Sequence, residues 1–182
     1  MDFPYNPRKA AQAAAYLVRL NNGRMDVVSL LKILYLADRK CLGRRGRPIT
    51  GDKMYSMPHG PVLSRIYDQI KAGGDAAQPW CEYLTEREVN TISLRVADPP
   101  ADELSEFERA ILREEHEQYS RFSFNDLKRV THSLPEYVDP RGGSLPIDPR
   151  VILQSAGWSD EEIRDAEMSA AEESVLAAVT RA

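Results

Sequence analysis

Asp38, His59, His116, His132, Cys41 and Cys81 are the residues whose types could carry chemistry in this sequence. Three imidazoles and a carboxylate are enough donors for a metal. However, neither H-E-x-x-H nor paired C-x-x-C spacing occurs, so no metal site is expected. The nucleophile elbow, the Walker A loop and the dinucleotide fingerprint are also missing. Cys41 falls on an apolar helical stripe and reads as core, not as a reactive thiolate. Asp38 follows Leu34 by four residues on that stripe. A carboxylate there needs a partner, because leaving it unpaired costs several kcal/mol. Backbone N–H groups or a nearby arginine would satisfy it. His59 stands in a Pro-His-Gly-Pro turn where it can hydrogen-bond backbone, and His132 ends a helix. The pattern points to no catalytic residue, no cofactor and no enzyme.

The elements that position these residues follow from periodicity and punctuation. An Ala-rich helix spans Arg8 to Asn21, with Ala10, Ala13, Ala14, Leu17 and Leu20 on one face. Asp26 caps a second helix that runs to about Leu42. Val27, Leu30, Leu31, Leu34 and Cys41 form its stripe, and Val28, Ile33, Tyr35 and Leu36 widen it until most of the circumference is apolar. Gly43 and Gly46 end it, and residues 47–52 read as an ordered loop. Lys53 to Met57 alternates as a short strand. Pro58-His59-Gly60-Pro61 breaks the chain and places Pro61 in the first turn of a third helix, closed by Gly73-Gly74. Trp80 to Leu84 and Thr91 to Val96 read as two strands, in a hairpin or in a three-stranded sheet with Lys53–Met57.

Beyond Asp98-Pro99-Pro100, Ser105-Glu106-Phe107-Glu108 is a capping box that starts a helix to about Arg121. Ser123 to Asp126 starts another. Glu136 to Pro149 is an irregular connection, Asp148-Pro149 opens a short helix through Gln154, and Ser159 to Glu162 caps a terminal helix. That helix carries a thin stripe of Ile163, Ala166, Ala170 and Ala177, so it should dock weakly, be mobile or bind a partner, and be dispensable for folding. The expected fold is mainly α (α+β): a compact helical domain around a buried central helix, with a small antiparallel β-sheet or hairpin. Residues 1–155 form the domain and 156–182 an acidic C-terminal helix.

The chain has 182 residues and a net charge of −4, which suits one compact domain. No apolar run approaches a bilayer span, and no signal peptide is read at the start. Two cysteines are too few for a disulfide scaffold, so a reducing cytoplasm is the expected setting. Charge is uneven: residues 1–96 carry 15 Lys/Arg against 9 Asp/Glu, and residues 97–182 carry 9 against 19. Such asymmetry suits two faces with different partners, or simply surface helices of different charge. The basic turn of Arg44, Arg45, Arg47 and Lys53 is the candidate partner surface. A DNA-binding autoregulator using it is the alternative, although the turn from Gly43 to Pro61 is too long for a helix–turn–helix and a −4 protein is not an obvious nucleic-acid binder.

Three blocks then carry a resemblance: Leu34-Tyr35-Leu36-Ala37-Asp38-Arg39, Gly46-Arg47-Pro48-Ile49-Thr50-Gly51-Asp52, and Met57-Pro58-His59-Gly60-Pro61-Val62. In order and spacing, followed by Tyr67-Asp68, they resemble the signature of the Panacea-domain family of SocA-like antitoxins. Leu127 to Ser133 resembles that family's second block, with Tyr137 where a tryptophan is expected. The likeness covers roughly residues 8–155. It implies a bacterial toxin–antitoxin system whose antitoxin binds a cognate, SocB-like protein toxin. It also implies a proteolytic adaptor that delivers the toxin to a ClpXP-type AAA+ protease; neutralisation by simple masking is the alternative. By the same resemblance, Tyr35, Asp38, Gly51, Asp52, His59, Gly60 and Pro61 hold the fold of this region.

Overall fold

The computed structural model describes residues 1–72 and 78–180. The expected Gly73-Gly74 stop lies outside them. Helix α1 (Pro7–Leu20) is capped by Asn6, whose side chain accepts from the Lys9 N–H at 3.0 Å, with Pro7 in the first turn. Nine consecutive residues, Ala10 to Val18, are buried. One apolar face was expected. Instead α1 is enclosed, because α2 (Val27–Arg45), α4 (Trp80–Tyr83), α5 (Glu106–Tyr119) and strand β1 (Arg24–Asp26) all pack on it. Gln12 is part of that burial. Its amide donates to Asp102 at 2.7 Å, and its carbonyl accepts the Glu103 N–H at 2.9 Å.

Strand β1 (Arg24–Asp26) leads into α2 (Val27–Arg45). The Asp26 carboxylate accepts from the Val28 and Ser29 N–H groups at 2.9 and 3.1 Å, and Gly46 ends α2 in the left-handed conformation. Leu30, Ile33, Leu34, Tyr35, Ala37 and Leu42 are at most 1% exposed, so α2 is the buried axis of the molecule. It packs against α1, α5 (Glu106–Tyr119), α6 (Phe124–His132) and α7 (Pro149–Ser155). Helices α5 and α6 start with complete capping boxes at Ser105/Glu108 and Ser123/Asp126.

The β-structure is present but paired differently from the sequence reading. β2 (Met54–Ser56) pairs antiparallel with β3 (Val62–Leu63) and with β5 (Leu145–Pro146), which comes from the acidic half of the chain. β4 (Thr91–Ser93) pairs with β1, Met25 opposite Ile92, in a separate two-stranded sheet. Trp80 to Tyr83 forms helix α4 and not a strand. Trp80 and Tyr83 are both buried, three residues apart, while Glu82 is not. Helical spacing turns both aromatics inward; strand alternation would have buried Glu82 with Trp80. Pro61 does not enter the third helix, since β3 intervenes and α3 runs Ser64–Ala72.

Helix α8 (Asp160–Thr180) lies over α7 and the end of α2. Ile163 and Ala170 are buried, and the Trp158 indole donates to the Gly43 carbonyl at 2.8 Å. Arg150 forks onto Glu167 at 2.6 and 2.7 Å. Among the described residues, no helix is long and apolar enough to cross a membrane.

Candidate functional site

The three sequence blocks and the segment after α6 converge on one junction at the side of α2. The first contact is made by Asp38, which is fully buried. It accepts from the Ile49 and Thr50 N–H groups, each at 3.1 Å, and from the Thr50 hydroxyl at 2.5 Å. Loop 47–52 is thereby folded onto α2. Burial nonetheless pushes the Asp38 carboxyl up to about 7, against the pull of the Thr50 bonds. Its partners are backbone N–H groups and a hydroxyl.

The loop then hands over to a second carboxylate. The Thr50 hydroxyl oxygen accepts the Asp52 N–H at 3.1 Å. Asp52 accepts from the N–H groups of Lys53, Arg65 and Ile66 at 2.7, 3.2 and 3.0 Å, so it caps α3 from twelve residues upstream of Ser64. Gly51 between them has φ +71, and a β-carbon there would lie 2.2 Å from the Pro4 carbonyl oxygen. Only glycine lets the N-terminal strap cross that close. Beside it, burial first and the Asp52 charge second push the Tyr5 hydroxyl up to about 12.

The Met57 to Pro61 segment is the tip of the β2–β3 hairpin. The Gly60 N–H closes it on the Met57 carbonyl at 2.8 Å. Lys32, only 3% exposed on α2, donates to the Pro61 carbonyl at 2.8 Å, and burial lowers its ammonium to about 7. Gly60 has φ +97. A β-carbon there would meet the Thr131 hydroxyl at 2.5 Å, Lys32 Nζ at 3.1 Å and the His132 ring at 3.4 Å. Residues from α2, the hairpin and α6 are therefore in mutual contact here. The His132 ring stacks on Tyr137 with centroids 4.2 Å apart, and its Nε2 is buried with no hydrogen-bond partner among the described residues. The Tyr137 hydroxyl donates to the Met57 carbonyl at 3.2 Å.

Glu136 completes the junction. Its buried carboxylate accepts from the Tyr35 hydroxyl at 2.8 Å and the Arg39 guanidinium at 2.6 Å. Burial and the Glu136 charge push the Tyr35 hydroxyl well above its ordinary value. Position 136 belongs to a stretch that the sequence marked only as irregular. Lys32 was likewise passed over, although a cation within an apolar run carries the same signal that singled out Asp38.

His59 differs from the expectation that it bonds backbone. Its side chain is exposed and its ring meets Phe124 edge-on at 5.5 Å, because the hairpin tip turns it toward α6. His116 meets Asn21 at 3.2 Å, away from the other two imidazoles. Among the described residues, no three His, Cys, Asp or Glu side chains are placed to share a metal ion. A cavity of about 220 Å³ lies alongside, lined by Phe3, Pro48, Asp52, Met54 and Ile147 among others. The Asp52 oxygens on its wall are already held by backbone N–H groups.

Each basic residue of the turn meets a group from elsewhere in the chain. Arg44 pairs with Glu114 of α5 at 3.1 Å, and Arg45 lies 3.8 Å over the Phe107 ring. Arg47 pairs with Glu173 of α8 at 3.0 Å, and Lys53 reaches Asp2 at 3.8 Å. The acidic half of the chain thus folds over the basic half.

Compared with known proteins, residues 30–136 match a family model described as antitoxin SocA-like, Panacea domain. That span runs from within α2 to Glu136 and contains most of the junction, with Tyr137 and the Pro4–Tyr5 strap beyond its ends, whereas α1, α7 and α8 lie outside it. No curated protein and no solved structure matches the chain.

Proposed function

The chain belongs to the SocA-like, Panacea-domain antitoxin family, and we propose that it works as a non-enzymatic binding module that grips a cognate protein toxin and delivers it to a ClpXP-type protease. The observation that carries this reading is how the matched segment spends its polar groups. Asp38 and Glu136 hold loop 47–52 and the segment after α6 against α2, and Asp52 ties the start of α3 to that loop. Lys32 holds the hairpin tip. Groups committed in this way make a rigid scaffold and are not free to exchange protons with a substrate.

The rim of Arg44, Arg47 and Lys53 supports a partner surface. These side chains are 48, 59 and 55% exposed, and their ion pairs are of the exposed kind, worth about 0–1 kcal/mol each. An acidic patch on a partner can displace Glu114, Glu173 and Asp2 at little cost. Non-specific attraction to DNA is weakened by the same carboxylates, which neutralise the turn in place.

The experiment takes as candidate toxin a small protein that co-purifies with this chain. Purified toxin is incubated with ClpX, ClpP and ATP, with and without this chain. The expected result is faster toxin loss with the chain present while the chain itself survives. Equal toxin lifetimes refute delivery. Rescue of toxin-arrested growth in cells lacking the protease then identifies masking as the mode of neutralisation. Absence of rescue in protease-proficient cells refutes the antitoxin reading for that pair.

A further inference from the structure

Helix α8 buries one face and leaves a second apolar face uncovered. The docked face is Ile163, Ala166, Ala170 and Ala177, with Trp158 and the end of α2 beneath. The other face presents Met168, Ala171, Val175, Ala178 and Val179, a spacing of i, i+3, i+7, i+10, i+11 along three helical turns. Met168, Val175 and Val179 are 60, 64 and 72% exposed. Of the ten exposed large apolar side chains among the described residues, four lie on this helix, so the stripe is a concentration and not ordinary scatter.

Charge decides what covers it. From Asp160 to Thr180 the helix carries seven carboxylates and a single arginine, Arg164. Glu167 and Glu173 are used up on Arg150 and Arg47. Glu161, Asp165 and Glu172 project beside the uncovered stripe at helical spacing, and no cation among the described residues comes within salt-bridge distance of them. A second copy of α8 would bring like charges together along the whole contact. An anionic lipid surface would repel the helix for the same reason.

We propose that this face of α8 docks a basic amphipathic helix of another protein, one whose apolar stripe is flanked by lysine or arginine. The apolar ridge seats against Met168, Val175 and Val179, and the flanking cations meet Glu161, Asp165 and Glu172. The surface lies outside the family-matched residues 30–136.

The test uses the full chain and two synthetic helical peptides, one of leucine and lysine in heptad spacing and one of leucine and glutamate. Binding is followed by fluorescence anisotropy at low and moderate salt, and self-association by sedimentation. The wild type should sediment as a monomer and bind the Leu/Lys peptide in preference to the Leu/Glu one. The triple variant M168Q/V175Q/V179Q should bind it at least tenfold more weakly. Glutamine is a better helix former than valine, so the helix persists, which circular dichroism checks. E161Q/D165N/E172Q should also bind at least tenfold more weakly and lose most of the salt dependence. Val138→Gln, at an exposed apolar position elsewhere, should bind as the wild type does. Three results overturn the proposal: unchanged affinity in the first triple variant, equal binding of both peptides, or a wild-type dimer that this variant dissociates. The last would make a second copy the occupant.

Discussion

Replacing Asp38 with alanine removes the acceptor of three buried donors at once: the Ile49 N–H, the Thr50 N–H and the Thr50 hydroxyl. Each donor left unpaired costs about 1–3 kcal/mol. The carboxylate's own desolvation disappears with it, which offsets part of the loss. A net cost of about 3–5 kcal/mol is the expected scale for stripping one partner from a buried charged network. A domain of this kind is held by only about 5–15 kcal/mol. At about 2–4 °C per kcal/mol for a chain of this length, the melting midpoint should fall by about 6–20 °C. Thermal and urea unfolding, followed by circular dichroism, measure it.

Asp38→Asn keeps one oxygen for the two N–H groups and should lose about half as much by the same accounting. It also isolates the titration. The folded carboxyl lies near 7 against an ordinary value of 3.8. The native state therefore binds the proton more tightly than the unfolded chain, and this group's contribution is complete below about 4. It is lost as pH rises through the folded value. Between pH 4 and 7 the wild type should lose stability relative to Asp38→Asn. An alanine variant within about 1 kcal/mol of wild type, below even one unpaired donor, would refute the assignment of Asp38 as the loop's anchor. Parallel pH curves would refute its titration.

Gly60→Ala should destabilise by about 2 kcal/mol or more. It places a β-carbon 2.5 Å from the Thr131 hydroxyl at φ +97, and an unchanged urea midpoint would count against the junction. The Lys32 ammonium is lowered to about 7 from 10.5. The unfolded chain binds that proton more tightly, so wild-type stability should rise between pH 7 and 10.5, and Lys32→Met should flatten the rise in denaturant titrations at pH 7 and 9.5. Truncation before Asp160 removes Ile163 and Ala170 from the surface beneath them together with the Arg150–Glu167 fork. It should cost about 2–3 kcal/mol while amide exchange in α1 and α2 stays slow. Global loss of protection would show α8 to be integral to the core.

The caps were legible because they are local chemistry. Asp26, Ser105 and Ser123 each bond N–H groups two or three residues away, and a cap needs no more of the chain than that. The central place of α2 was legible for a similar reason: apolar residues around most of a helix leave it no side for water. Burial of Asp38 followed from its place on that stripe, and with it the need for donors.

Which donors answered was decided by the fold. Strand partners were misassigned because β-propensity says that a segment fits a pleated surface and not beside which neighbour. β2 found Leu145–Pro146 from the far half of the chain, and the aromatic-rich Trp80 to Tyr83 became a helix so that both rings faced the core. Lys32 with Pro61 is separated by 29 residues, and Tyr35 with Glu136 by 101. The basic turn stands out in the sequence as a surface of one sign, but folding lays Glu114 and Glu173 across Arg44 and Arg47. By itself, then, the sequence determined the longer helices, their caps and the groups that could not be buried alone. Only the tertiary structure decided which distant groups would meet them, because closing long loops depends on what the whole chain packs together and not on any stretch of residue types.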